Sequence, residues 1–418
     1  MIVQRRSSWG LDASISNMAK SIATDEHSQR KNAPVVPDQL KFESEDNFYR
    51  ELRSRVNGYF QHSGRSQRDC VRMYVKTTLV LVWFAASYVL LVFNVTTGWV
   101  AVPVATSLAL SMAAIGFNIQ HDGSHGAYSK HPWINKLMAM TLDLLGGSSY
   151  GWACKHNIVH HTYANIHGHD DDIDIGILGR LSPHQRRFKF HRWQFIYLWF
   201  LYGFVAVKWH FYDDFRDVIN GRFGGRRHAR PKGWDLAIFV GGKALFFSLV
   251  LVVPLMLHSV WAVLGYYLAV SFVEGIALSM VFQLPHCVEQ AAFPLPQTNS
   301  SRMETSWAMH QVQTTVNYAC GNRLLSWFIG GLNFQIEHHL FPRICHVNYP
   351  AIAPLVEQTC EEFGVCYKTN NTFRSAIASH YRWLRKMGMP GAIPEELELV
   401  RKCPACDAEY ALITAFIK

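Results

Sequence analysis

The sequence predicts an all-α integral membrane protein, with four transmembrane helices beneath a cytoplasmic helical cap that gathers histidines into a metal site. Three observations carry that expectation. Apolar runs of about 20 residues, the length that crosses a bilayer, occur in two tight pairs. Lys and Arg are absent from residues 77–129 and again from 244–301. Histidines, 21 in a chain of 418 residues, collect in three short clusters just outside the apolar runs.

The first pair of predicted spans is 77–95 and 98–119; the second is 236–257 and 260–284. Basic residues flank the pairs but avoid the short turn inside each. By the positive-inside rule both turns face outward, and both termini and the long central loop are cytoplasmic. Lys243 intrudes on the third span near its cytoplasmic end, where it is expected to snorkel to the interface. Glu274 stands alone in the fourth span. A carboxyl is expensive there, so it is expected to face protein or water and to serve a function. The stretches 195–207 and 324–334 are apolar but too short to span, and read as helices lying in the interface. Residues 1–73 read as a polar N-terminal cytoplasmic arm without a secretory signal. Residues 74–350 then form the membrane domain and 351–418 a C-terminal cytoplasmic region.

Composition fits this layout. The chain is 49% hydrophobic, yet its mean hydropathy is only +0.01, so apolar segments alternate with charged ones. Lys and Arg total 40 against 31 Asp and Glu, an excess suited to anionic lipid headgroups. No recognition motif accompanies it, so nucleic-acid binding is not expected. Nine scattered cysteines argue against a disulfide framework. Cys403 and Cys406 form a lone CxxC; a zinc or redox site needs a second pair or a suitable fold context, and neither is visible in the sequence.

The histidine clusters carry the chemistry. They are His121-Asp-Gly-Ser-His125, His156-Asn-Ile-Val-His160-His161 and Gln335-Ile-Glu-His338-His339. Residues four apart share a helix face, so His121 and His125 point into a common space, as do His156 and His160. His161 is turned by about 100° from His160, which lets that pair reach two ions. The topology places all three clusters, and His286 after the fourth span, on one side of the membrane. More imidazoles converge than one ion can accept, so the expected site is dinuclear. Imidazole suits iron, copper, zinc or nickel, and spacing does not choose among them. The carboxylates Asp122, Glu337 and the run Asp170-Asp171-Asp172-Ile173-Asp174 are candidates to fix histidine tautomers.

The longer strings Trp152-Ala-Cys-Lys-His-Asn-Ile-Val-His-His-Thr-Tyr163 and Gly330-Gly-Leu-Asn-Phe-Gln-Ile-Glu-His-His-Leu-Phe-Pro342 resemble the membrane fatty acid desaturase superfamily. Within it they resemble the front-end branch (Δ6-type, linoleoyl-CoA desaturase-like), marked by Gln335 in place of the third box's first histidine. The resemblance covers roughly residues 74–350. It implies two Fe ions, O2 as co-substrate, an external electron donor and a fatty-acyl substrate carried on CoA, a lipid or a carrier protein. Position by position, the implied metal ligands are His121, His125, His156, His160, His161, His286, His338 and His339. Gln335 would coordinate directly or through water. His131, His167, His169 and His310 match no ligand position of the family and are left out.

Many front-end enzymes carry a fused cytochrome b5 domain with a His-Pro-Gly-Gly motif, which does not occur in this sequence. The expected donor is therefore a separate protein, of ferredoxin or cytochrome b5 type, and the expected location a bacterial cytoplasmic membrane with the site facing the cytoplasm. The substrate is expected to thread an apolar tunnel lined by spans two and four. An acyl-chain hydroxylase on the same scaffold is the alternative. A membrane metal transporter or sensor is more distant, because spans one and two contain almost no polar groups to form an ion path.

Overall fold

The computed structural model describes residues 39–44, 47–94, 98–297 and 300–391. Cys403 and Cys406, and most of the polar N-terminal arm, lie outside the described residues. The chain divides between Leu40 and Lys41 into two units, and every helix and strand named below the membrane spans or within them belongs to the second.

Four helices are long and apolar enough to cross a membrane: Val71–Asn94 (α2), Gly98–His125 (α3), Trp234–Leu255 (α8) and Val260–Gln283 (α9). Each coincides with one predicted span. Their outward faces are apolar, with Val82, Trp99, Val102, Val240, Trp261 and Leu268 exposed, as a bilayer solvent requires. Span two (α3) is the most buried and packs against spans one and four. Two polar contacts join neighbouring spans. Trp83 Nε1 donates to Ser107 Oγ at 2.8 Å, and Tyr88 Oη to the Leu249 carbonyl at 2.8 Å.

Lys243 and Glu274, the two ionisable groups expected inside the spans, behave differently from each other. Lys243 does not snorkel. It is buried, and its ammonium donates to Asp214 Oδ2 at 2.9 Å and to the Gly146 carbonyl at 2.6 Å. A charge away from water needs a counter-ion, and Asp214 supplies one from the helix at 205–220 (α7). Glu274 faces protein. It is buried, and its Oε2 has no hydrogen-bond partner among the described residues.

The predicted interfacial stretch 195–207 becomes helix α6, Gln194–Tyr202, followed by α7. Ile196, Phe200, Phe204 and Phe211 point outward, while the other face lies on span four. Backbones meet there: a Cβ on Gly275 would sit 2.7 Å from the Gly203 carbonyl oxygen, so only glycine fits. The stretch 324–334 yields a short helix, Arg323–Phe328 (α11), ended by Gly330 and Gly331.

The cap is built from both ends of the described chain. Helix α1 (Asn47–Ser63) buries Phe48, Leu52, Val56 and Phe60 at helical spacing. These pack on Ile352, Val356 and Cys360 of α13 (Tyr349–Glu362) and on Phe334, Ile336 and Leu340 around the third histidine cluster. Helix α14 (Phe373–Gly388) buries Trp383 against Phe293, rings stacked 4.9 Å apart. Strand pairing among the described residues is limited to three two-stranded pieces. Two of them tie distant segments in parallel, Lys41–Glu43 with Arg302–Ser306 and Asn317–Tyr318 with Thr369–Asn370.

Candidate metal centre

Four segments deliver the histidines. Span two passes through a π-helical stretch, Ile115–Gln120, then carries His121 and His125, and stops at Gly126, whose φ is 69°. A helix at 149–163 (α5), capped by Ser148 Oγ on the Gly151 N–H, is also π-helical over Ala153–His160. It carries His156, His160 and His161. Such π turns concentrate at functional sites. His286 follows span four, and helix Gln335–Leu340 (α12) presents His338 and His339. Gly330, at φ +64°, sets α12 close to span two. A Cβ there would meet the Phe117 carbonyl oxygen at 2.2 Å.

All eight histidines expected from the sequence come together, each buried. Ligand-type nitrogens of His121, His125, His156 and His338 lie within 4.8 Å of one another, as do those of His160, His286 and His339, and those of His161, His338 and His339. His338 and His339 thus link the first two groups through the third. His156 and His160 do stand side by side, rings 5.2 Å apart and nearly parallel, and with Asp172 they form a further group of ligand-type atoms. Gln335 borders the second group, with Nε2 3.1 Å from His286 Nε2 and Oε1 unpartnered among the described residues.

The state of these imidazoles suits coordination. Burial, then mutual repulsion, pushes His156, His161, His338 and His339 well below the usual histidine range, and His286 to about 3. Neutral rings offer lone pairs. His160 is the exception. Burial opposes its charge, but Asp170 and Asp172 outweigh that and raise it to about 9. Nε2 of His125, His338 and His339, and Nδ1 of His156, His161 and His286, are buried without a hydrogen-bond partner among the described residues. Buried polar atoms are rarely left so. A bound cation would account for Nε2 of His125, His338 and His339, and an all-imidazole donor set fits iron among other transition metals.

Neighbours fix the ring orientations. His160 Nδ1 donates to Asp170 Oδ2 at 3.1 Å, and Asp170 is itself held by the Asn165 and Asp172 N–H groups at 2.8 and 3.0 Å. His339 Nδ1 donates to Gln311 Oε1 at 2.7 Å, and His338 Nδ1 lies 3.3 Å from Tyr349 Oη. Trp152 stacks on His156 at 4.4 Å. Asp122 and Glu337, expected as such partners, do other work. Asp122 accepts from His346 Nδ1 at 2.9 Å, whose Nε2 meets Lys76 Nζ at 2.9 Å. Glu337 accepts from Asn317 Nδ2 and Tyr367 Oη, both at 2.8 Å. His131, His167, His169 and His310 join none of the groups; His310 Nε2 instead donates to the Ala164 carbonyl at 3.0 Å. Gln311, Tyr349 and Asn165 escape a reading of the sequence, since nothing near them marks a metal motif.

Four helices long and apolar enough to span a membrane, under a cap that gathers eight buried imidazoles able to hold metal, define the histidine-box class of membrane protein. The fatty acid desaturase family profile matches residues 97–371. An sn-1 linoleoyl-lipid 6-desaturase of Arthrospira platensis is 38% identical over 344 residues, covering 82% of this chain and 93% of that one. A Synechocystis protein of the same description is 38% identical over 355 residues, covering 85% and 99%. An acyl-lipid (8-3)-desaturase of Physcomitrium patens is 36% identical, covering 83% and 72%. The chain belongs to the fatty acid desaturase family, and is an oxidoreductase acting on fatty-acyl chains.

Proposed function

We propose that the chain is a front-end acyl-lipid desaturase, using O2 and electrons from a separate ferredoxin- or cytochrome b5-type donor at two irons held by the eight clustered histidines. The observation that carries it is the convergence of those histidines in a buried cavity within a chain so similar to linoleoyl-lipid 6-desaturases. Gln335 is assigned to the second iron's surroundings, directly or through water. Charge placement supports a site on the cytoplasmic face, and the cyanobacterial relatives support a bacterial membrane.

Iron at this site would supply the O2-dependent redox chemistry that an unactivated methylene requires and no side chain can provide. The protein's part is positional. Asp170, Gln311 and Tyr349 hold three ligand rings by their outer nitrogens, so the inner nitrogens stay aimed at the centre. Trp152 and Phe282 wall the cavity beside His156, which keeps water from competing for reactive species. An apolar cavity of about 530 Å³ lies among the spans, sized for the methyl end of an acyl chain. All four spans line it, with Phe84, Met112, Phe246 and Val270 as examples, rather than spans two and four alone.

Fatty acids from a host expressing the chain with a ferredoxin system, analysed by gas chromatography–mass spectrometry after derivatisation at double bonds, test this reading. A new double bond on the carboxyl side of an existing one is expected, absent in a His338→Ala, His339→Ala control. A hydroxylated product instead would move the protein to the hydroxylases. A double bond on the methyl side would overturn the front-end assignment.

A further inference from the structure

A second cavity, of about 520 Å³, opens beside His125. Its walls come from the end of span two, helix Pro132–Ala139 (α4), residues around 150 and the first turns of span three. Six charged side chains face it: Arg68, Lys130, Lys136, Arg343, Asp143 and Asp235. Lys136 and Asp235 pair with each other at 3.1 Å, and Arg68 Nε donates to the Arg343 carbonyl at 3.1 Å. That leaves the Lys130 ammonium and the Arg343 guanidinium without an ion pair or side-chain hydrogen bond among the described residues. Asp143 is the converse case. It is buried, Oδ1 accepts from the Ser149 N–H, and Oδ2 has no partner among the described residues.

The depth of this cavity is marked by two tryptophans next in sequence to its lining residues Pro132 and Asp235. Trp133 on α4 is 67% exposed and Trp234, opening span three, is 81% exposed. Exposed tryptophans at helix ends sit at the lipid headgroup level. A concave, net-cationic chamber at that depth, touching a histidine of the metal cluster, is matched to a small anion carried on a lipid.

We propose that this cavity seats the phosphate headgroup of the acyl lipid whose chain is desaturated, so that the enzyme's substrate is a glycerophospholipid. Lys130, Arg343 and Arg68 pair with the phosphate. Asp143 Oδ2 accepts from a hydroxyl or ammonium donor on the same headgroup. The headgroup is thereby held beside His125. This assignment rests on the desaturase reading and goes further, because it selects phosphate-bearing lipids over neutral glycolipids.

The test uses the full-length, iron-loaded protein in discs of neutral lipid, supplied with a ferredoxin and its reductase. Phosphatidylglycerol, a galactosyl diacylglycerol and a CoA ester, all bearing the same acyl chain, are compared as substrates. Binding of a fluorescent phosphatidylglycerol is measured separately, without turnover. Wild type is expected to favour phosphatidylglycerol. Lys130→Gln with Arg343→Gln should raise its KM and weaken the binding by roughly tenfold, as loss of charge-assisted hydrogen bonds does, with kcat and the galactolipid KM little changed. Lys130→Arg with Arg343→Lys should restore both, and Lys189→Gln, an exposed cation elsewhere, should alter neither. Equal losses on the galactolipid, preference of wild type for the galactolipid or the CoA ester, or a rise only in the donor protein's KM would each overturn the proposal. Active wild type with unaffected variants sinks the headgroup site alone, whereas no alkene from any substrate sinks the desaturase reading with it.

Discussion

The two halves of the histidine cavity are braced in different ways. His160, His286 and His339 answer to polar partners: Asp170, in its own web of backbone N–H groups, holds His160, and Gln311 holds His339. His121, His125, His156 and His338 are braced mostly by packing, with Trp152 against His156 and a long contact from His338 to Tyr349. A carboxylate behind an imidazole raises its basicity and fixes its tautomer. The half holding His160 is therefore the more strongly donating, and the other half is positioned chiefly by shape.

Mutations can break that contrast in graded steps. His338 belongs both to the group of His121, His125 and His156 and to that of His161 and His339, so His338→Ala should be the most damaging. Iron by elemental analysis should fall below one per chain and turnover should drop by more than the ~100-fold limit typical of outer partners; retention of both irons would dissolve the two-group picture. Asp170→Asn should come next, costing roughly 10–100-fold in activity or metal affinity, with iron lost from one site before the other in a chelator titration. Gln311→Ala should follow at about 10-fold, and Gln311→Glu should recover most of it, because a carboxylate oxygen can take the same hydrogen bond. Tyr349→Phe should cost least, about twofold to threefold, since a 3.3 Å contact marks a weak bond. An effect as large as that of Asp170→Asn would mean that the packed half depends on polar bracing too. Separately from the metals, Leu52→Ala in α1 should lower cap stability by about 2–5 kcal/mol, read as an earlier thermal transition.

Much of this was legible in the sequence, for reasons of range. Spans declare themselves over some 20 residues, so all four were found. Their ends were less visible: Lys76 interrupts the apolar run, and span one begins six residues before the predicted Thr77, at Val71, because Lys76 is buried against His346 rather than left in water. Seven of the eight clustered histidines were legible because ligand spacing is local to each box, whereas His286 came only from the resemblance to the desaturase superfamily. Their partners were not. Gln311 and Tyr349 meet the boxes only through tertiary folding, and Lys243 found Asp214 the same way. Adjacency in sequence misled at Asp122 and Glu337. A neighbour on a helix is turned by about 100°, so a carboxylate next to a ligand points away from the ligand's partner side. Asp170 reaches His160 because the intervening loop folds back.

The cavity's ligands are drawn from the end of span two, the long central loop, the exit of span four and the third box beyond it, and that box is bedded on a helix near the start of the described chain. During synthesis, therefore, no stretch of the nascent protein owns a complete site. On the two-iron reading, capture of both metals would wait until the last span has been inserted and the third box has docked on α1, and iron occupancy would then report finished biogenesis. A chain stalled or cut before the third box would reach the membrane with its spans in place and no means of holding both metals.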